Sequence, residues 1–193
     1  MPCGISPRGT PLPLFRTRRP FRNGRRFSFP SRAETPSTFF WGTTMATFQT
    51  ITTDKKQYLP LLLLADPCEA MIDRYLERGT MYILDDNGVK GVCVVTDEGD
   101  GILEIKNIAT DSHFHRKGYG RMLIKFIEET YHNQYSILQV GTGDSPLTIP
   151  FYEACGFVRS HAVKDFFVKN YDHAIYECGI QLKDMIYLRK NLL

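Results

Sequence analysis

Phe114-His115-Arg116-Lys117-Gly118-Tyr119-Gly120-Arg121 decides how this chain is read, because it ends an extended run and opens an amphipathic helix. A glycine turn feeding a helix N-terminus aims several backbone N–H groups, and the positive end of the helix dipole, at one point in space. That point suits a phosphate. Gly118 and Gly120 let an anion approach the main chain closely, while Arg116, Lys117 and Arg121 add positive charge around it. A bare G-x-G also fits a plain surface turn, so the flanks carry the argument.

Upstream, Ile102 to Thr110 alternates polar and apolar residues and reads as a central strand, closed by the turn-forming Asp111-Ser112. Downstream, Tyr119, Met122, Leu123, Phe126, Ile127 and Tyr131 fall at helical spacing, with Arg121, Lys125, Glu128, Glu129 and His132 on the other face. This predicts a helix packed on a sheet. Strand, glycine turn and helix also describe nucleotide-binding folds. The Rossmann spacing G-x-G-x-x-G fails, because Leu123 stands at the third glycine, and no G-x-x-x-x-G-K-[ST] occurs.

Two segments resemble the GCN5-related N-acetyltransferases (GNAT). His115-Arg116-Lys117-Gly118-Tyr119-Gly120 is similar to the family's pyrophosphate signature Q/R-x-x-G-x-G/A, with histidine in the first position. Phe151-Tyr152-Glu153-Ala154-Cys155-Gly156-Phe157 looks like the helix-ending segment whose tyrosine sits beside the coenzyme A sulfur. The two occur in the family's order and at its usual separation, and the resemblance spans Met45 to the C-terminus. It implies that acetyl-CoA is the acyl donor substrate. On that basis the donor site is expected to comprise Ile108, Ala109, Thr110, His115, Arg116, Lys117, Gly118, Tyr119, Gly120, Arg121 and Ser145.

Composition divides the chain. Of its 193 residues, the first 44 hold eight arginines, no lysine, the single acid Glu34 and seven of the eleven prolines. From Met45 onward 16 basic and 20 acidic residues remain, so a whole-chain charge of +3 hides a core of −4. The apolar residues of 1–44 follow neither helical nor strand periodicity, and the segment reads as a disordered extension. It is an upstream start that precedes a natural Met45, a transit segment, or an arm for nucleic acid or an anionic surface. The acidic core argues against nucleic acid as the main partner.

No secretory h-region is present, and the apolar run Leu59 to Ala65 is short and interrupted by Pro60, so no membrane span is expected. Cys3, Cys68, Cys93, Cys155 and Cys178 are scattered, without C-x-x-C or a histidine cluster at metal spacing. They read as reduced thiols in a cytoplasmic protein, with no metal site. Cys155 reads as a small buried residue rather than a nucleophile.

From Met45, a strand over Ala46 to Ile51 precedes a helix over Lys55 to Ala65 capped by Thr53 or Asp54, and a second helix from Glu69 to Arg78 ended by Gly79. Thr80 to Leu84 and Val89 to Val95 form a hairpin through Asn87-Gly88, and Thr96 to Gly101 is a second turn. Ser136 to Val140 is a strand parallel to that of Glu104, joined by the helix crossover. Gly141 to Asp144 reads as a loop, Ser145 as an N-cap, and Pro150 as a sign that the next helix is kinked or begins near Ile149. Met185 to Arg189 is a final strand. The class is α/β: a GNAT-like mixed, mostly antiparallel central sheet flanked by helices, occupying residues 45–193.

Acetyl transfer from a thioester to an amine needs a grip on the diphosphate, a donor for the thioester oxygen, a base for the ammonium and an acid for the thiolate. The resemblance makes Tyr152 the acid, against the alternative of a core aromatic. A phenol near pKa ~10 protonates a thiolate of comparable basicity with little mismatch. Glu104 is the first candidate base, at the spacing where the histone-acetyltransferase branch carries glutamate. Its alternative is a solvated strand residue facing Lys106 or Lys90. Glu177 is a rival base or an anchor for a cationic acceptor, and His173 stands beside it in that role. Phe167, Tyr171 and Glu177 are the candidate acceptor contacts, in an aromatic and acidic segment that suits a cationic, partly apolar primary amine. The competing reading is a non-catalytic acyl-CoA-binding or regulatory module. Oligomeric state is left open, a homodimer included.

Overall fold

The computed structural model describes residues 37–41 and 44–192. In order these form β1 (Ser37–Trp41), β2 (Thr44–Ile51), α1 (Leu59–Ala65), α2 (Glu69–Leu76), β3 (Thr80–Asp85), β4 (Val89–Gly99), β5 (Ile102–Thr110), α3 (Tyr119–Tyr131), β6 (Ile137–Gly143), α4 (Ile149–Ala154), β7 (Val158–Val163), α5 (Phe166–Asn170), β8 (Tyr176–Glu177), β9 (Ile180–Gln181) and β10 (Met185–Asn191). Eight strands make one sheet in the order β1-β2-β3-β4-β5-β6-β10-β7, and β8 pairs with β9 alone. Only β5 and β6 run parallel, joined by α3, so the expected mixed and mostly antiparallel sheet is found.

Alternation along β4 sends successive side chains to two cores. Cys93 and Val95 join Leu103, Ile105, Leu138, Val140 and Leu188 beneath α3 and α4. Val92 and Val94 join Met81, Ile83 and Ala109 beneath α1 and α2. All six residues placed on the apolar face of α3 are buried, as is Ile124. Burying a side chain such as Leu123 contributes about 1.5–3 kcal/mol. Phe126 also stacks on Phe48, centroids 4.1 Å apart.

Several boundaries differ from the sequence reading. Ser37–Trp41, assigned to the unstructured extension, is a strand paired with β2, and the rest of that extension, residues 1–36 and 42–43, lies outside the described ones. The single helix over Lys55 to Ala65 is a 3-10 turn (Lys55–Tyr58) followed by α1, because Pro60 fits only a first helical turn. Asp54 makes no side-chain cap there. Lys55 is instead buried, its Nζ donating to the carbonyls of Leu76, Glu77 and Gly79 at 2.9, 3.2 and 2.8 Å and closing the end of α2. β4 runs on to Gly99, so the turn shrinks to residues at Asp100 and Gly101, both with positive φ. Gly141–Gly143, read as a loop, is strand: Tyr187 and Met185 of β10 occupy the space above Gly141, and Leu182 that above Gly143.

Candidate active site

The site follows from where β5 and β6 part. They pair only from Ile102↔Ile137 to Ile105↔Val140. Beyond that point β5 stays on β4, with Cys93↔Ile108, Val92↔Ala109 and Gly91↔Thr110, while β6 stays on β10 as far as Gly143. The strands diverge into a wedge, and the edge of Ile108 to Thr110 that faces β6 has no strand partner. A bulge at Val94/Val95 inserts Lys106 as an extra residue in β5. It reverses the facing of the strand, so Leu103, Ile105 and Ile108 all pack beneath α3 whereas Asn107 and Ala109 face α1 and α2.

The glycine loop closes one end of this wedge. Gly118 adopts φ 91° as the N-cap of α3, and the first bond of that helix runs from Met122 N–H to the Gly118 carbonyl at 3.0 Å. The N–H groups of Tyr119, Gly120 and Arg121 therefore have no intrahelical acceptor, and no acid lies in the first turn. A Cβ on Gly120 would lie 3.2 Å from the Phe151 ring, so α3 and α4 meet there at close range. Arg116 also takes a positive φ, 61°. His115, in the place of the family's Gln or Arg, donates from Nε2 to the Thr110 carbonyl at 3.1 Å and ties the loop to the end of β5. Tyr119 anchors the other side, its hydroxyl donating to Asp86 Oδ2 at 2.7 Å. Lys90 and Lys117 gather over Phe114 at 4.1 and 4.9 Å from its centroid, adding charge beside the loop.

Tyr152 enters from α4, which begins at Ile149 with Pro150 in its first turn and ends at Gly156, φ 88°. The Ser145 cap is displaced: its buried Oγ accepts from Leu147 N–H at 3.1 Å, shaping the turn before α4 rather than the helix start. Tyr152 packs edge-on against Phe151 and Phe157. Burial pushes its phenol well above the ordinary tyrosine value, with Cys93, Cys155 and Glu177 adding to the rise. Burial likewise raises the Cys155 thiol, against the opposing pull of Arg121, which leaves little thiolate for nucleophilic attack.

The two candidate carboxylates sit in contrasting surroundings. Glu104 is 5 % exposed, not solvated. Its Oε1 accepts from Lys106 Nζ at 2.7 Å and its Oε2 from Gln139 Nε2 at 2.8 Å. Gln139 in turn accepts from Arg189 Nε at 2.7 Å, so the network stitches β5, β6 and β10 together at the apex of the wedge. Glu177, in the β8–β9 hairpin, is close enough to Tyr152 to raise its phenol, and its Oε2 is buried with no donor among the described residues. Asn107 Oδ1 is the other such atom; its Nδ2 donates to the Leu62 carbonyl and the Tyr75 hydroxyl, both at 3.0 Å, holding α1 and α2 to β5. This tie was not legible in the sequence.

Phe167 and Tyr171 stack at 5.6 Å, and Tyr171 donates to Asp66 Oδ1 at 3.1 Å, fastening the C-terminal segment to the α1–α2 link. Both line a hollow of about 220 Å³ with Ile175 and Leu182. His173 is more than half exposed and bonded to Asp172 at 2.6 Å, on the rim of that hollow. Among the described residues there is no metal-ligand cluster, and no helix is long and apolar enough to cross a membrane.

A sequence model of the acetyltransferase (GNAT) domain matches residues 77–159, which include the wedge, the glycine loop and Tyr152. YvbK of Bacillus subtilis (strain 168), described as an uncharacterized N-acetyltransferase, is 37 % identical over 135 residues, covering 68 % of this chain and 87 % of that protein. A GNAT family acetyltransferase from Elizabethkingia anophelis, solved with acetyl-CoA bound, is 35 % identical with a TM-score of 0.72 over 76 % of this chain and 97 % of its own. A Bacillus subtilis acetyltransferase in complex with CoA is 34 % identical with a TM-score of 0.69, over 76 % and 98 %. With the splayed strands and the glycine-capped helix, these likenesses establish that the chain belongs to the GNAT family of acetyltransferases.

Proposed function

We propose that the protein transfers the acetyl group of acetyl-CoA directly to a primary amine, with Tyr152 as acid and Glu177 as the carboxylate that receives the amine. The observation that carries this reading is the unpartnered edge of Ile108 to Thr110 running up to the glycine-capped start of α3, with a buried phenol on α4 and, on the β8–β9 hairpin, a buried carboxylate oxygen without a donor. The free N–H groups at the start of α3 and the cations Arg116, Lys117 and Arg121 hold the diphosphate. The unpartnered main chain of Ile108 to Thr110 receives the pantetheine arm and the acetyl carbonyl.

In the reaction the ammonium gives a proton to Glu177, directly or through water, and the freed amine attacks the thioester carbon. The C–N bond forms, the C–S bond breaks, the departing thiolate takes the Tyr152 proton, and the second proton lost from the nitrogen returns through water to the phenolate, leaving a neutral amide and the free thiol. The raised phenol does not spoil the match, because the same dry surroundings raise the basicity of a thiolate formed there. Glu104 is assigned to holding the apex of the wedge, since both of its oxygens are already engaged. A non-catalytic acyl-CoA-binding module would have no use for a buried phenol on α4 or for an unsatisfied carboxylate on the hairpin. The four described cysteines are unpaired, which supports a reducing, cytoplasmic setting.

Titration calorimetry with acetyl-CoA, together with thiol release against a panel of amines, tests the reading. Binding with turnover that collapses in Tyr152→Phe supports it. Binding without turnover on any amine favours the non-catalytic module, and absence of binding overturns both.

A further inference from the structure

β5 leaves β6 at one residue. Pairing between them ends at Ile105↔Val140, and the next residue of β5 is Lys106, the extra residue of the bulge against Val94/Val95. β6 itself does not turn away, since it stays on β10 without a register shift from Ile137 to Gly143. The bend therefore belongs to β5, because a bulge adds twist and bends its own strand.

Two registers compete past Ile105. In the observed one, with Val94↔Asn107 and Cys93↔Ile108, Asn107 faces α1 and α2 and Ile108 packs beneath α3. Without the bulge, Asn107 would fall opposite Cys93 in the apolar core of Leu103, Ile105 and Leu138, and Ile108 opposite Val92 beneath α1 and α2. Apolar burial barely separates the two, because Ile108 and Ala109 exchange cores. Asn107 decides instead. Only 3 % exposed, it finds the Leu62 carbonyl and the Tyr75 hydroxyl in the bulged register, both 3.0 Å from Nδ2. A carboxamide buried against Cys93 would lose both partners and its hydration as well. We infer that Asn107 is the positioning residue that locks the bulge, and so keeps the edge of Ile108 to Thr110 parted from β6. Its bearing on catalysis rests on the proposed placement of acetyl-CoA along that edge. The two ties use only the amide nitrogen, and Oδ1 has no donor among the described residues. Asn107→Leu removes the ties and the unsatisfied oxygen together, so the wedge closes while the fold keeps its stability.

The test follows amide deuterium exchange of Ile108 to Thr110 and of Gly141 by NMR in the full chain, beside calorimetric binding of acetyl-CoA. In the wild type the amides facing the wedge exchange fast, and acetyl-CoA slows them on the order of tenfold or more. Asn107→Leu slows them on that order before any ligand is added, as β5 and β6 pair beyond Ile105, and raises the acetyl-CoA Kd about tenfold with Tm within a few degrees. Tyr82→Phe is the control: it removes a buried hydrogen bond of 2.8 Å to Tyr131 beneath α3, and leaves edge exchange and Kd unchanged while Tm falls. If Asn107→Leu does not fold, Tyr75→Phe removes one of the two acceptors and shifts both readouts about threefold in the same directions. A folded variant whose edge stays fast and whose affinity is unchanged overturns the inference and leaves acetyl transfer standing. A like change in Tyr82→Phe also overturns it, since the effect would then follow stability. A wild-type edge that acetyl-CoA does not slow overturns the placement of the donor, and the inference with it.

Discussion

Glu104, at the apex of the wedge, and Glu177, on the β8–β9 hairpin, differ in what is left undone. At the apex, Glu104 has Lys106 on one oxygen and Gln139 on the other, with Arg189 completing the chain. On the hairpin, Glu177 keeps a buried oxygen without a donor among the described residues, and its charge adds to the rise of the Tyr152 phenol. A satisfied carboxylate holds strands together; an unsatisfied one is ready for a ligand's N–H or proton. The resemblance to the histone-acetyltransferase branch, which carries a glutamate at that spacing before the glycine loop, favoured Glu104, whereas hydrogen-bond accounting favours Glu177.

The largest expected effect is that of Tyr152→Phe, which removes the proposed acid and is expected to lower kcat about 10²–10⁴-fold, leaving calorimetric acetyl-CoA affinity within a few-fold. Exchanging the two glutamates for glutamine sharpens the contrast. Glu177→Gln lowers kcat/KM for the amine about 100-fold with little change in Tm. Glu104→Gln costs about 1–3 kcal/mol through its charged hydrogen bonds, a fall of roughly 2–10 °C in Tm, while activity drops less than tenfold. The reverse pattern, with Glu104 dominating kcat, would break the comparison.

Next in size is Gly118→Ala. It forces an L side chain to φ 91° at about 1–2 kcal/mol and weakens acetyl-CoA binding tenfold or more by tilting the N–H groups, as calorimetry would read. A subtler test uses pH. In the proposed mechanism protonated Tyr152 is the working form and its phenol is raised, so kcat is expected to hold through the ordinary tyrosine range and to fall only above it. Glu177 contributes to that rise, so Glu177→Gln moves the alkaline limb of its residual activity to lower pH. An unmoved limb would separate the two side chains. Tyr119→Phe is the smallest: losing one hydrogen bond to Asp86 costs about 0.5–1.5 kcal/mol in Tm measurements.

The hairpin and α5 show why part of the site was hidden. Tyr171, picked from its aromatic neighbourhood as an acceptor contact, reaches back 105 residues to Asp66. Ser145, placed at a helix start by its Pro146 neighbour, serves the turn before it because Pro150 delays α4. The bulge that turns Asn107 towards α1 shows in the sequence only as the adjacent polar pair Lys106-Asn107, a break in alternation that a turn or a solvated edge would also leave. The partners of a buried lysine such as Lys55 leave no local mark, since its three carbonyls lie more than 20 residues away.

By itself the sequence determined what local chemistry dictates. The strand over Ile102–Thr110, the glycine-capped start of α3, its six inward side chains and the parallel return of β6 all follow from periodicity, from glycine at positive φ and from a crossover helix. Tertiary structure alone decided where β5 and β6 part, which glutamate keeps an oxygen free, and how Phe167, Tyr171 and Leu182 enclose a hollow. Those properties depend on groups brought together from distant parts of the chain, and on desolvation and hydrogen-bond satisfaction that exist only once the chain is packed.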